Sequence, residues 1–260
     1  MTTQPLANRR ILVTRGASQA PKLSDGLRAL GALPIEVPVL EIVPPESYDP
    51  LDAALQNLAQ YDWLILTSTN TVRVLVERAS AQKISLDKFA PQAVAAVGSA
   101  TEQAAREAGF NVSLVPESYV AESLVAALQD KIAGRRILLA RAAIARDVIP
   151  DALRVAGAII DVVDAYQNVV PATAPHQLRH AYARGLDAAT FTSSSSVTHL
   201  AQAAEAGGVP FPLKGVRAVS IGPITSQTLR NLDWPPAVEA DPHDIPGLIA
   251  SVLRLFAPAS

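Results

Sequence analysis

The apolar and polar positions of this 260-residue chain alternate between short β-branched runs and longer segments with a helical period. A short apolar run bounded by loop residues predicts a buried strand, and apolar residues three or four positions apart predict an amphipathic helix. Leu23, Leu27 and Leu30 with a stop at Gly31 indicate one helix, and the pattern of 120–128 indicates another. We predict ten strands, at 11–14, 34–43, 63–66, 93–97, 112–115, 137–140, 159–166, 188–191, 216–221 and 237–240.

Four sequence motifs occur twice, in the same order and about 125 positions apart. RRILVTR, which ends at Arg15, returns as RRILLAR, which ends at Arg141. LTS at 66–68 returns as FTS at 191–193, VGSAT around Gly98 as SIGPIT around Gly222, and Leu124 as Leu248. An ordered set of this kind predicts an internal duplication.

The regular alternation of strands and helices is typical of parallel α/β sheets. With ten strands in two repeats, we predict an α/β protein made of two similar, flavodoxin-like, doubly wound parallel-sheet domains. Each sheet is expected to contain five strands.

Two of the predicted strands are longer than the others and both run into proline, which favours strand edges and exits. We interpret them as connectors, near 36–45 and 161–171, that form a two-stranded hinge. The repeats can be tandem domains, or 41–167 can be a continuous domain and 1–40 with 168–260 a discontinuous one. We favour the second division because it explains the length of both connectors.

Composition and charge narrow the class of protein. With 49% hydrophobic and 18% charged residues the chain can bury a large core, and a net charge of -2 argues against a nucleic-acid surface or a membrane-seeking face. The absence of cysteine excludes disulfides, thiolate nucleophiles and cysteine-ligated zinc. The start MTTQPLANRR has no apolar signal region and no run of 18 apolar residues occurs, so we expect a cytoplasmic protein.

Hydroxyl-rich loops follow several predicted strands, where ligands bind in open parallel sheets. Backbone N–H groups, hydroxyls and helix dipoles converge there, which suits a carboxylate or a phosphate. Helix capping explains any single hydroxyl, but the loops at 67–70 and 192–196 supply three and five. The loops are 67–70, 98–101, 116–118, 192–196 and 222–225.

Other binding and catalytic motifs are missing from the sequence. No GxGxxG follows a strand and no P-loop motif occurs, which argues against dinucleotide and P-loop phosphate sites. His176 and His180 have the i, i+4 spacing of metal ligands, but their polar surroundings favour an exposed helix face. No nucleophile, base and acid stand in a recognisable pattern.

The motifs RILVTR, LTSTN, VGSAT, PESYVAESL, RILLAR, YQNVVP, FTSSSSV and IGPIT, in this order, resemble the uroporphyrinogen-III synthase family over nearly the whole chain. The resemblance implies two α/β domains joined by a two-stranded hinge, with hydroxymethylbilane bound in the cleft. It implies loss of the terminal hydroxyl as water, inversion of the last pyrrole ring and closure to uroporphyrinogen III, without cofactor or metal. A monomer is expected, and transient contact with the upstream bilane-forming enzyme is left open.

This resemblance also assigns roles to residues. Tyr166 matches the family's tyrosine before the second crossing, and we expect it to end its strand. Its phenol can act as a weak general acid, and the alternative is that Tyr166 is a hinge aromatic that only packs. The many carboxylates of the substrate suit the hydroxyl loops, and arginines near strand ends can bind a carboxylate through two parallel hydrogen bonds. The candidate substrate-binding residues are Arg15, Ser68, Thr69, Asn70, Ser99, Thr101, Ser118, Arg141, Arg146, Ser193, Ser194, Ser195, Gly222 and Thr225.

Two loops depart from the family pattern. Two alternative functions, FMN binding and small-anion binding, stay open. The family usually has Arg-Pro where this chain has Arg15-Gly16, and glycines where it has 142–145. An FMN-binding protein would use a similar hydroxyl loop, but only 5% of residues are aromatic. A two-domain protein that binds a small anion would share the architecture, although no export signal is present.

Overall fold

The computed structural model describes residues 4–17, 19–85, 93–118, 121–145 and 147–257. The contacts within the chain divide it into two compact units. Unit 1 comprises residues 1–41 and 169–260, and unit 2 comprises residues 42–168. Unit 1 is therefore discontinuous in sequence, and unit 2 is continuous.

Unit 1 contains a five-stranded parallel sheet. Its strands are β1 (Arg10–Val13), β2 (Leu33–Glu36), β9 (Ala188–Phe191), β10 (Arg217–Ser220) and β11 (Val238–Glu239), in the order β11-β10-β9-β1-β2. Its helices are α1 (Ala20–Ala29), α7 (Ala174–Ala183), α8 (Ser194–Gly207), α9 (Pro223–Asn231) and α10 (Ile245–Phe256). Counted along the chain, the strand order is 2-1-3-4-5, the order of flavodoxin-like folds.

Successive strand residues of unit 1 point to opposite faces of this sheet, and each face carries its own apolar layer. Ile11 and Val13 pack with α1 and α10, whereas Leu12 packs with α7, α8 and α9. The buried Thr14 and Thr190 join β1 to β9: Thr14 donates to the carbonyl of Thr190 at 2.8 Å, and Thr190 donates to that of Leu12 at 2.9 Å. These hydrogen bonds satisfy both buried hydroxyls in the middle of the sheet.

Unit 2 contains a second sheet, in which β4 to β8 run parallel. Its strands are β3 (Glu41–Val43), β4 (Trp63–Leu66), β5 (Ala93–Ala96), β6 (Val112–Leu114), β7 (Arg136–Ala142) and β8 (Ile159–Val169), in the order β3-β8-β7-β4-β5-β6. Its helices are α2 (Asp49–Gln56), α3 (Thr69–Ala81), α4 (Ser99–Glu107), α5 (Ala121–Leu128) and α6 (Val148–Val155), with 3-10 turns at Leu58–Gln60 and Gln129–Lys131. The ends of β3 and β8 contain the two points at which the chain passes between the units.

The sheet of unit 2 is also covered on both faces. Leu64 and Leu66 pack with α2, α3 and α4, and Ile65 packs with α5 and α6.

No helix in the described ranges is long and apolar enough to cross a membrane.

The prediction of an α/β fold with parallel sheets is confirmed, and the bounds of β4 and β9 are as predicted. The prediction of ten strands in two five-stranded sheets is wrong, because the described residues form eleven strands in sheets of five and six. The long strand predicted at 34–43 is instead two short strands, β2 and β3, on either side of 37–40. Pro38 lies in this interval, and a proline has no N–H with which to continue a ladder.

Candidate active site

Unit 2 carries a cavity of about 240 Å³ at the carboxyl ends of β4, β5 and β7. Thr67, Ser68, Arg141 and Tyr166 bring two hydroxyls, a guanidinium and a phenol to its wall. The remaining wall is largely apolar and comes from β7 and from the ends of α5 and α6. A small apolar pocket with a few convergent polar groups is typical of a ligand site.

Ser68 and Tyr166 meet at this cavity although they lie 98 positions apart in the chain. Ser68 caps α3, and its Oγ accepts the backbone N–H of Thr71 at 3.1 Å. The Oη of Tyr166 lies 3.1 Å from the same Oγ. Tyr166 is 6% exposed.

A bulge in β8 explains how Tyr166 reaches this position. The β7–β8 ladder shifts between Arg141 and Ala142, so that Ala142 pairs with Tyr166. Because of the extra residue, Ala165 and Tyr166 both pack into the same apolar cluster instead of facing opposite sides of the sheet. The expectation that Tyr166 ends its strand is wrong, since β8 continues to Val169.

Arg141 lies in the same wall with its charge already paired. Its guanidinium contacts the carboxylate of Asp147 at 2.6 Å, and its side chain is 13% exposed. A carboxylate ligand would have to share this guanidinium with Asp147 or displace it.

The other predicted residues of unit 2 are spread along the carboxyl edge of the sheet. Thr69 and Ser99, in the first turns of α3 and α4, are exposed, and Asn70 is partly buried. Thr101 is buried, and Ser118 is exposed in the loop after β6. Arg146 lies outside the described residues. These positions are available to a ligand to different degrees, with Thr101 the least accessible.

A larger cavity, of about 570 Å³, lies near the starts of β7 and β8. Burial, and then a 2.8 Å hydrogen bond to Asp161, raises the pKa of Tyr61 to about 12. Arg136 lies 3.3 Å from the same carboxylate, and Arg154 pairs with Asp151 at 3.3 Å. The charges of this cavity are therefore paired within the protein, unlike those expected of an anion site.

In unit 1 the hydroxyl loop after β9 begins α8. Ser193 and Ser196 form a capping box, in which each side chain accepts the backbone N–H of the other at 3.1 and 3.3 Å. Thr228 of α9 donates to the Oγ of Ser194 at 2.9 Å and so links the first turn of α8 to α9. Ser195 is partly buried beside them. Capping and helix contacts therefore use part of this loop's hydroxyl content.

The neighbouring loop of unit 1, after β10, lies beside a histidine that we did not predict, His243, which follows β11. Gly222 precedes α9, and a Cβ at this position would lie 3.3 Å from Cγ of His243. The Nδ1 of His243 lies 2.7 Å from the carbonyl oxygen of Ala240 and must donate there, which leaves Nε2 as its second polar atom. Thr225, in the first turn of α9, is buried.

Arg15 follows β1 at the same carboxyl edge of unit 1. It is partly buried, and its Nε is buried without an acceptor in the part of the chain that the structure describes. Burial lowers the pKa of this guanidinium. An incompletely hydrogen-bonded cation of this kind is suited to binding an anion.

The histidine pair of α7 does not form part of either edge. His176 and His180 are exposed, as expected, and their Nε2 atoms lie 3.1 Å apart. Within the described ranges, no three metal-binding side chains of the histidine, cysteine or carboxylate type are grouped together.

Sequence reasoning therefore missed three side chains of these edges: Asp147, Thr228 and His243. The first follows Arg141 by six residues, and the charge opposite to that of a nearby arginine was the available signal. The other two carried no sequence signal beyond lying in or near a predicted strand-to-helix loop.

Comparison with known proteins identifies the family. The family model described as uroporphyrinogen-III synthase HemD matches residues 21–250. A uroporphyrinogen-III synthase of Synechococcus elongatus is 38% identical, and the match covers 97% of this chain and 97% of that protein. The porphyrin biosynthesis protein HemD of Ruminiclostridium josui is 28% identical over 97% of this chain, which spans 49% of that longer protein.

Solved structures agree with this match at the level of the fold. A mutant uroporphyrinogen III synthase of Thermus thermophilus has a TM-score of 0.70 at 21% identity and covers 95% of this chain and 98% of its own. The uroporphyrinogen-III synthetase of Helicobacter pylori has a TM-score of 0.63 at 18% identity, with coverage of 95% and 99%. From the family model and the full-length relative together, the chain belongs to the uroporphyrinogen-III synthase family.

Proposed function

We propose that this protein converts hydroxymethylbilane to uroporphyrinogen III with loss of water, and that the chemical step takes place at the cavity of unit 2. The family match and the 38% identical relative support the reaction. The observation that supports the site is the buried phenol of Tyr166 beside Ser68, in a cavity that also contains Arg141. The alternatives of an FMN-binding or a small-anion-binding protein are not favoured.

Tyr166 is proposed to donate its proton to the terminal hydroxyl of the substrate. The carbon–oxygen bond then breaks, its electron pair leaves with water, and the lone pair of the adjacent pyrrole nitrogen stabilises the methylene carbon. The phenolate takes up a proton when the last ring loses one after closure. Proton transfer of this kind accelerates a reaction by roughly 100-fold or more.

The small size of the cavity sets a limit on what it binds. Its volume of about 240 Å³ is below that of most small-molecule sites, so it suits one end of the bilane and not the whole substrate. The remaining carboxylates need other donors. We propose that the candidate residues of both sheet edges other than Ser68, which contacts Tyr166, supply them, with Arg15 as the strongest because its Nε lacks an acceptor among the described residues.

Each repeat has a connector strand, but only that of the second repeat contains a tyrosine, Tyr166. The corresponding stretch of the first repeat, LPIEVPVLEIVPP at 33–45, contains no tyrosine. We therefore propose that an internal duplication provided two carboxylate-binding edges, of which one acquired the acid. The four repeated motifs support the duplication. The strand orders also support it, because β2-β1-β9-β10-β11 of unit 1 corresponds strand by strand to β8-β7-β4-β5-β6 of unit 2.

The two units are proposed to be domains, 1–40 with 168–260 and 41–167, joined by connectors near 36–45 and 161–171 that act as a hinge. The division of the chain at 41–42 and 168–169 supports this proposal. A cytoplasmic location, a monomeric state and the absence of a cofactor stay predictions.

The proportion of product isomers tests the proposed function. Hydroxymethylbilane left alone closes to the symmetrical isomer I, so formation of isomer III identifies the catalysed reaction. The protein is incubated with fresh hydroxymethylbilane, and the oxidised products are separated by chromatography. We expect isomer III to dominate, and wild-type protein that yields only isomer I contradicts the proposal.

The acid role of Tyr166 has its own test. Tyr166→Phe removes the hydroxyl but keeps the ring in its apolar cluster, so the fold and KM should be preserved while kcat falls by roughly 100-fold or more. Circular dichroism and steady-state rates of isomer III formation measure both effects. An unchanged kcat would reduce Tyr166 to a packing residue.

A further inference from the structure

The hydroxyls around Tyr166 form a chain of hydrogen bonds, in which the backbone N–H of Thr71 has a fixed direction and the hydroxyl contacts have two possible directions. The Oγ of Ser68 lies 3.1 Å from the N of Thr71, 3.0 Å from its Oγ1 and 3.1 Å from the Oη of Tyr166. A serine hydroxyl offers one proton and two lone pairs. The backbone N–H of Thr71 can only donate, so it occupies one lone pair of Ser68.

The remaining lone pair and the proton of Ser68 are shared between two hydroxyls. If the side chain of Thr71 donates to Ser68, both lone pairs of Ser68 are used and its proton is directed to the Oη of Tyr166. The proton of Tyr166 is then free to point into the cavity that both side chains line. The hydroxyl of Thr71 is fully buried and needs a partner, and its other side-chain contact, with Oγ1 of Thr67, is longer at 3.4 Å, which favours donation to Ser68.

We propose that Ser68 is a positioning residue for Tyr166 rather than a direct ligand of the substrate. It donates to the phenol oxygen, turns the phenolic proton toward the substrate and stabilises the negative charge that develops when the proton leaves. This inference rests on the proposed function of Tyr166. It replaces the expectation that Ser68 binds a substrate carboxylate, because the arrangement commits all three of its hydrogen-bonding positions within the protein.

The corresponding serine of unit 1 shows what the same motif does without a phenol. Ser193 also caps its helix, but its side chain pairs with Ser196 in a capping box. The cap is therefore common to both repeats, whereas a contact with a tyrosine is found for Ser68. Loss of the cap and loss of the contact can be separated by experiment.

A double-mutant cycle tests the proposal. Ser68→Ala should lower kcat by roughly 10- to 100-fold, the range for a lost hydrogen bond to a charged group, and should leave KM nearly unchanged. In a Tyr166→Phe background the same substitution should have little further effect on kcat. Ser68→Thr, which keeps both the hydroxyl and the ability to cap, should retain most of the wild-type kcat.

The thermal unfolding midpoint provides the control for the cap. Ser68→Ala should lower it both with Tyr166 and with Phe at position 166, because the Thr71 N–H loses its acceptor in both. An equal loss of kcat in both backgrounds, or a rise in KM alone, would overturn the positioning role while isomer III formation by wild type upholds the proposed function. Wild-type protein that gives only isomer I overturns both.

Discussion

At the scale of single residues, arginines at the two ends of β1 differ in exposure and in hydrogen bonding. Arg9, before the strand, pairs with Asp187 at 3.1 Å, and its side chain is about half exposed. Arg15, after it, is partly buried, and its Nε has no acceptor in the described ranges. A buried cation without a full set of partners costs free energy of folding, and a protein retains such a group where a ligand completes it.

Arg15→Met should therefore separate binding from stability. We expect KM for hydroxymethylbilane to rise by roughly 10- to 100-fold, as for a lost charge-assisted hydrogen bond, with a smaller change in kcat. The free energy of unfolding, measured with urea, should stay the same or increase because the buried guanidinium is gone.

Arg9→Met is the matched control for this variant, since it removes the same charge from the other end of the strand. It should leave KM unchanged. If both variants raise KM equally, net charge and not a local site explains the effect, and Arg15 is not a ligand.

Tyr61 predicts a pH dependence of stability above pH 10. Its pKa is raised to about 12 in the folded protein by burial and by Asp161, against 10.0 for an unperturbed tyrosine. As the pH rises, Tyr61 therefore loses its proton in the unfolded chain before it does so in the folded protein. The contribution of Tyr61 to the stability of the fold is complete below pH 10 and decreases as the pH rises toward 12. Urea unfolding from pH 9 to 12 should show a steeper loss of stability in wild type than in Tyr61→Phe; parallel curves would contradict the raised pKa.

At the scale of elements, the start of α8 combines capping with proposed binding, and both depend on Ser193. Asp and Asn cap helices about as well as Ser, whereas Ala costs about 1 kcal/mol. Ser193→Asn and Ser193→Asp should thus keep the free energy of unfolding, and Ser193→Ala should lower it by about 1 kcal/mol. Only the aspartate places a negative charge where we expect a substrate carboxylate.

KM then distinguishes the two functions of the loop. It should rise in Ser193→Asp relative to its neutral match Ser193→Asn, because the two carboxylates repel each other. Equal KM values for these two variants would mean that the loop only begins the helix.

Elements were predicted well where the pattern is local. β4 and β9 are apolar runs bounded by polar loops, and their bounds could be read directly. The split at 37–40 was missed because a run of valine and isoleucine outweighed Pro38. The bulge that brings Ala165 and Tyr166 into one cluster depends on the ladder with β7, which no local pattern reports.

The candidate site was predicted only in outline, for a similar reason. The strand-to-helix loops could be located because open parallel sheets place ligands there. The contact of Ser68 with Tyr166 joins positions 98 apart, and its geometry requires the fold. Charge pairing, as between Arg141 and Asp147, likewise becomes visible only when side chains are placed.

At the scale of the whole molecule, the strand pairing predicts which fragments fold. Residues 42–168 contain β4 to β7, all but the last residue of β8, and the parallel neighbours of these strands, so this fragment should unfold cooperatively by itself. A fragment of residues 1–131 separates β1 from β9 and β4 from β7, and should not fold. Dispersed amide signals and a cooperative urea transition measure the difference; a folded 1–131 fragment would restore the tandem division.

The hydrogen bonds between Thr14 and Thr190 join positions 176 apart, and this separation has a consequence for synthesis on the ribosome. At about 5–20 residues per second, the strand that carries Thr14 waits roughly 10 to 35 s for its partner to be made. Unit 2 can be completed during this interval, while the apolar run Ile11–Leu12–Val13 has β2 as its only available neighbour in the sheet. The newly made amino-terminal segment is therefore the part of the chain that we expect a chaperone to protect until translation has passed residue 190.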